Sequence, residues 1–401
     1  MVSSKRLDPA VSMDGSTLPR RAFLRFVSSV GAVAAFRFLP GEVLLARQAL
    51  SKERLTARSM NPEDFETPAH LLTSWITPND LFFVRSHFYT PSLSGEGWNL
   101  RVDGEVNSPL TLTLDDLRRL PSHTTVVTLE CAGNGRAFFE PPVAGIQWEK
   151  GAVGTARWTG VRLADVLRRA GVRPSGRYVW LDGADRGIGR APDFVRHVPM
   201  QKAMHLETLL AYEMNGQPLP VPHGLPLRAI VPGWEGAYSV KWLTHIQVSD
   251  REYDGPFVQS GYRYPRRPVQ PGTLVATADT EPLQALPVKS LITSPANGAN
   301  VRVGPVSISG FAWAGEAAIR RVDVSTDGGR TWTQARLGPD RAAYAWRQFE
   351  HTWRPTEAGS FIVLSRASDD DGRVQPIIPD WNPAGYLWNA VDQARLNVVA
   401  R

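Results

Sequence analysis

The chain contains one cysteine, in the run Val126-Val127-Thr128-Leu129-Glu130-Cys131-Ala132-Gly133-Asn134-Gly135-Arg136. Three chemistries compete for it. A free cysteine at the end of a strand is commonly a small buried apolar group. It is also a possible nucleophile, with His87, His123 or His223 as base and nothing local to select among them. The third reading is a soft metal ligand. One thiolate cannot build a zinc or iron–sulfur site, but it can anchor a metal whose other ligands belong to a cofactor. The surroundings favour this third reading. Gly133 and Gly135 permit close backbone approach and positive φ, and Arg136 is near enough to stabilise a thiolate or receive an oxyanion.

More groups of the same kind lie in turn-like contexts. Phe83-Val84-Arg85-Ser86-His87 puts Arg85 and His87 on one side of an extended segment. His223-Gly224-Leu225-Pro226-Leu227-Arg228 pairs a second histidine and arginine across a proline turn, and Val231-Pro232-Gly233-Trp234-Glu235-Gly236-Ala237-Tyr238-Ser239-Val240-Lys241-Trp242 follows. Each has a bland alternative, a solvated arginine or a structural histidine. Together they suggest a site for a large anionic ligand, and for a small oxyanion beside it.

The elements that must position these residues have a mixed pattern. Leu81 to Arg85 and Leu100 to Val106 read as strands, and Thr125 to Leu129 as a buried strand ending at Cys131. Leu114 to Leu120 reads as a short helix capped by Thr113 or Asp115 and stopped by Pro121. Leu163 to Ala170 is helical with Gly171 at its end. Val179-Trp180-Leu181 is a strand, and Met200 to Leu210 includes another helical stretch. These make an α+β domain over residues 61–272. The Pro-rich run Tyr264 to Gly272 reads as a connector. Beyond it, Val301 to Val303, Val306 to Gly310, Ile319 to Ser325 and Phe361 to Ala367 alternate with period two, and Asp327-Gly328-Gly329-Arg330 is a hairpin turn. Residues 273–401 therefore read as an immunoglobulin-like β-sandwich with no catalytic cluster of its own.

At 401 residues the chain is long for one core. Its net charge of +6 is local: residues 1–60 carry ten basic and four acidic residues, and the rest carries 35 of each. The body is neutral, so the charge gives no support for nucleic-acid binding. Pro19-Arg20-Arg21-Ala22-Phe23-Leu24-Arg25, followed by the apolar run Phe26 to Phe36, reads as a twin-arginine export signal within residues 1–46. That run is too short for a stable membrane span. Residues 47–60 read as a linker, and the chain is expected in the periplasm or otherwise exported. A lone cysteine excludes internal disulfides and covalent haem.

The ordered motifs resemble the sulfite oxidase family. The resemblance rests on Leu129 to Arg136, Phe83 to His87, Thr155-Ala156-Arg157-Trp158-Thr159-Gly160, Leu210-Ala211-Tyr212-Glu213-Met214-Asn215-Gly216, His223 to Arg228 and Ser239-Val240-Lys241-Trp242-Leu243. Val324 to Trp332 resembles the family's dimerisation sandwich. The likeness covers residues 61 to 401. It implies Mo-molybdopterin as cofactor, with Cys131 as the thiolate ligand of molybdenum. It implies that Arg85, Arg136 and Tyr262 line an oxyanion pocket walled by Trp148. His87, Asp185, His223, Arg228, Ser239 and Lys241 would hold the pterin and its phosphate. The implied activity is oxidation of sulfite by oxo transfer in a homodimer, with electrons passing to a separate acceptor such as a c-type cytochrome.

One departure stands out. In Trp381-Asn382-Pro383-Ala384-Gly385-Tyr386, Ala384 takes the place of the arginine that animal-type sulfite oxidases carry just after Trp-Asn. The Pro-Ala-Gly-Tyr version looks more like bacterial sulfite dehydrogenases and the molybdenum subunit of sulfane dehydrogenase. The alternatives are therefore a sulfane dehydrogenase subunit acting on protein-bound sulfur, a sulfoxide reductase of related fold, and a non-catalytic β-rich binding module.

Overall fold

Two antiparallel strands, Ser122–Glu130 and Val153–Arg162, pair along their length, from Ser122 opposite Val161 to Glu130 opposite Val153. They carry Cys131 on the end of the first strand. In this computed structural model residues 51–400 are described apart from 94, 188 and 190, and they belong to one compact unit. The expected export signal lies outside the described residues.

The pair belongs to a five-stranded sheet completed by Leu209–Met214, Gln217–Pro218 and Arg228–Ile230. A second five-stranded sheet orders Leu110–Leu112, Leu100–Gly104, Leu243–Ser249, Tyr178–Gly183 and Arg196–Pro199, with Leu100–Gly104 and Leu243–Ser249 parallel. The helix Leu163–Ala170 shares one buried cluster with strands of both sheets. Leu163, Ala164, Val166, Leu167 and Ala170 recur at helical spacing and are buried, while Gly171 closes the helix at φ +68°. Burial of each such Leu or Val contributes about 1.5–3 kcal/mol. The helix Leu114–Arg118 is capped by Thr113, whose side chain accepts from the Asp116 N–H while the Asp116 carboxylate accepts from that of Thr113.

The sandwich sets a four-stranded sheet against a five-stranded one. The first contains Lys289–Ser294, Val306–Trp313, Arg336–Leu337 and Arg347–Trp353. The second contains Asn300–Arg302, Ile319–Ser325, Thr333–Gln334, Gly359–Asp369 and Asp392–Val399. The strand Asp392–Val399 shows the expected strict alternation of buried and exposed residues.

Four expectations need adjustment. The helical share of the α+β domain is small: the described α-helices span only four to eight residues. The expected linker contains a strand, Thr56–Met60, that pairs with Glu63–Glu66 and through it with Val84–Arg85. Of the strand-like run from Leu81, only Val84–Arg85 is a strand, because Leu81 first closes a turn onto the Pro78 carbonyl at 3.0 Å. The Pro-rich connector is the loop of a hairpin between Arg263–Pro265 and Thr280–Pro282, so the expected boundary at 272 falls inside that loop.

Candidate active site

Cys131 stands at the strand end with its backbone fixed. Its N–H donates to the Ala152 carbonyl at 2.9 Å, and its own carbonyl accepts from the Asn134 N–H at 2.9 Å. Its side chain lines a pocket of about 720 Å³ of space between its walls and its mouth. The same pocket is lined by Arg85, His87, Asp185, His223, Arg228, Ser239, Lys241 and Tyr262. Nine of the eleven residues predicted for the site therefore meet in one space.

The pocket's back is cationic. The Arg228 guanidinium is buried, donating to the carbonyls of His223 at 3.0 Å and Ser239 at 2.9 Å, with its Nε unpartnered. Burial alone pulls Arg228 down to about 9. Lys241 Nζ donates to Ser86 Oγ and the Pro222 carbonyl, both at 2.9 Å. Burial also lowers the Lys241 amine, reinforced by Arg228 and opposed by Asp185. Among the described residues neither cation has a carboxylate at ion-pair distance. Asp185 is buried too, which raises its carboxyl to the benefit of the neutral form, with Lys241 opposing.

The two histidines are neutral. Burial, with Arg228 and Lys241 adding to it, takes His223 down to about 3, and its Nε2 donates to the Asn79 carbonyl at 3.2 Å. Burial, then Arg85, Arg196 and Lys241, hold His87 well below its ordinary value. Tyr262 is pushed well above 10, chiefly by burial, so its hydroxyl donates to His87 Nε2 at 2.6 Å and leaves the imidazole proton on Nδ1. Tyr262 and Trp242, both lining the pocket, hold φ of +51°, a costly backbone for bulky residues. Arg85 reaches the pocket while paired with buried Asp64 at 3.2 Å. The Cys131 thiol is raised by burial, against which Arg85, Arg136 and the Gly133 N–H favour the thiolate.

Two expectations fail here. Trp148 does not wall the pocket. It is fully buried in a core cluster with Phe82, Leu129 and Trp158, behind the cysteine strand. Arg136 does not line the pocket either. Its Nη1 donates to the Ile146 carbonyl at 3.0 Å and its Nε to the Ala384 carbonyl at 3.1 Å, with the Tyr386 ring 5.2 Å away. Gly133 and Gly145 make room for that inward turn: a Cβ there would lie 2.7 Å and 2.9 Å from the Arg136 guanidinium. Gly135 leaves room for Trp388. These glycines serve neighbouring side chains, not a ligand's approach.

The sequence reading also missed a buried pair. Arg196 stacks its guanidinium 4.4 Å from the Tyr238 ring and 4.8 Å from the Tyr262 ring, and lies 3.7 Å from the Glu235 carboxylate. Glu235 faces the pocket, and burial pushes it up to about 7. The available signal was a charge inside an apolar strand, Phe194-Val195-Arg196-His197-Val198, and another inside the turn Trp234-Glu235-Gly236.

Residues 87–257 match the oxidoreductase molybdopterin binding domain, and residues 280–398 match the Mo-co oxidoreductase dimerisation domain. The chain is 41% identical to the mitochondrial sulfite oxidase of Rattus norvegicus, over 86% of this chain and 66% of that protein. It is 33% identical to the sulfite oxidase of Arabidopsis thaliana, over 84% of this chain and 93% of that one. The chain belongs to the sulfite oxidase family. A solved structure titled as the sulfane dehydrogenase SoxCD from Paracoccus pantotrophus superposes with TM-score 0.73 at 31% identity, covering 94% of this chain and 97% of that one.

The family's cofactor, Mo-molybdopterin, fits the residues present. Arg228 and Lys241 are buried cations with no carboxylate at ion-pair distance among the described residues, the complement of a phosphate. Among the described residues no three His, Cys, Asp or Glu side chains converge to hold a metal unaided. A metal held by Cys131 would take its remaining ligands from the cofactor, and a thiolate would suit a soft centre. In this chain the molybdopterin-binding match is followed by the dimerisation-domain match over the sandwich.

Proposed function

We propose that this chain oxidises sulfite to sulfate in an exported homodimer and passes the electrons to a separate one-electron acceptor, a c-type cytochrome. The observation that carries this is the meeting of the Cys131 thiol, the Arg85 guanidinium and the Tyr262 hydroxyl in one pocket also lined by the buried cations Arg228 and Lys241. Sulfite and water become sulfate, two protons and two electrons. Bound Mo-molybdopterin supplies the two-electron oxygen-atom transfer. Arg228, Lys241 and Ser239 hold its phosphate, and His87, His223 and Asp185 contact the pterin. Arg85 binds the oxyanion through its donors. Tyr262, whose hydroxyl donates a hydrogen bond to His87 Nε2, keeps its proton and forms a wall of the pocket beside Arg85. The Arg20-Arg21 pattern, read as a twin-arginine signal, supports a periplasmic location.

A second reading is a sulfane dehydrogenase, favoured by Ala384 and by the coverage of the sulfane dehydrogenase structure. The test is reduction of cytochrome c by molybdenum-loaded protein, given either sulfite or a peptide carrying a persulfide. The proposal expects saturable reduction with sulfite. Reduction with the persulfide peptide alone would overturn it in favour of the second reading.

The homodimer is supported by the match to the dimerisation domain and by apolar residues left exposed on the sandwich, Ile362, Ile377 and Ile378. Ile378→Asp is expected to convert dimer to monomer in light scattering, since Ile378 is 82% exposed and its loss costs the monomer little. An unchanged dimer would place the interface elsewhere. Deleting residues 286–401 is a poorer test, because it removes Lys289 and Trp313 from buried Glu130 and uncovers the catalytic domain's core.

A further inference from the structure

The turn that presents Cys131 is held from two sides. Its own domain supplies the Ala152 N–H, which donates to Asn134 Oδ1 at 3.1 Å. The sandwich supplies the other side. Lys289 Nζ sits 2.8 Å from Glu130 Oε1 and 3.3 Å from the Asn134 carbonyl. Trp313 Nε1 donates to Glu130 Oε2 at 2.7 Å. Asn134 Nδ2 closes the set on Glu130 Oε1 at 2.8 Å. Glu130 immediately precedes Cys131, and Asn134 closes its turn.

All four side chains are buried. Lys289 and Trp313 are direct partners across two antiparallel strands, so a one-residue slip of either strand would turn its member of the pair away from Glu130. Such a buried ion pair is a weak source of net stability, because apolar side chains of similar size often serve as well or better. What a satisfied buried network does supply is one defined geometry. That geometry converges on the two residues that fix the backbone on either side of the thiol.

We propose that Lys289 and Trp313 are positioning residues for the Cys131 thiolate, acting through Glu130 and Asn134. The sandwich domain is then part of the apparatus that sets the active-site cysteine, in addition to any role in dimerisation. The inference rests on the reading of Cys131 as the metal ligand.

The single thiol makes the test direct. Lys289→Met, Lys289→Arg and Trp313→Phe are compared by the rate of iodoacetamide alkylation in cofactor-free protein, by molybdenum retained per chain, and by kcat and KM for sulfite. Lys289→Met is expected to speed alkylation about tenfold or more and to lower kcat by a similar factor, with KM little changed. Lys289→Arg is expected to restore both. Trp313→Phe, which removes one hydrogen bond and keeps most of the volume, is expected to shift alkylation in the same direction and decides the matter if Lys289→Met does not fold. Wild-type alkylation and metal retention in folded Lys289→Met or Trp313→Phe would overturn the proposal. Alkylation needs neither sulfite nor metal, so failure of the sulfite reading is distinguishable from failure of this one.

Discussion

Cys131→Ser is expected to lower sulfite turnover by at least about a thousandfold, a loss of about 4 kcal/mol of transition-state stabilisation. The substitution nearly preserves volume, and the turn is held by backbone bonds that serine leaves intact. What changes is the donor. An alcohol does not ionise at neutral pH and is hard where the thiolate is soft. In the cofactor-free protein burial keeps the thiol protonated despite Arg85 and Arg136. Metal binding must therefore displace that proton, which serine resists far more strongly. The checks are kcat, molybdenum per chain and the unfolding transition of the variant. Turnover within tenfold of wild type at full metal content would remove Cys131 from the metal's ligands.

Lys241→Met is expected to act with opposite signs on the two forms of the protein. It should weaken cofactor binding about a hundredfold, since it removes a buried charge paired with an anion. It should leave the cofactor-free protein as stable or more so, because there the amine is buried against two neutral oxygens and the Trp242 ring 4.0 Å away, with no carboxylate at ion-pair distance among the described residues. The pH dependence follows the same logic. Lys241 binds its proton less tightly when folded than when unfolded, where its ordinary value is 10.5. Its stabilising contribution is thus present above that value and is lost as the pH falls toward the folded one. The cofactor-free protein should gain stability from Lys241 between pH 7 and pH 10.5, and Lys241→Met should flatten that gain. Denaturant unfolding of both proteins at several pH values checks it. A variant that unfolds more easily and keeps its molybdenum would contradict the assignment.

Local features were the most legible in the sequence. The helix Leu163–Ala170 with its Gly171 cap, and the Thr113 cap, follow from period and end signals that need no tertiary partner. The strand into Cys131 and the even spacing of the sandwich strands were equally plain. Nine of the residues named for the site line one pocket, and most of them read as charged or polar groups in turn-like contexts. What the sequence concealed was direction. Arg136 follows a glycine turn and reads as free to face the thiol, yet its path is set by Gly145 and by Ala384, 248 positions away. Trp148 reads as an aromatic near the site, and only the packing of Phe82, Leu129 and Trp158 turns it into the core. The bond from Lys289 to Glu130 spans 159 positions and leaves no periodic trace.

We propose that Cys131 holds the metal of a molybdopterin cofactor in this pocket. The most direct measurement is molybdenum per chain alongside thiol labelling, on loaded protein and on the same protein stripped of cofactor. Because the chain has one cysteine, every label reports on Cys131. About one molybdenum per chain is expected, with the thiol protected when loaded and labelled when stripped, the behaviour of a coordinated thiolate. A loaded protein whose thiol labels as fast as that of the stripped protein would contradict it.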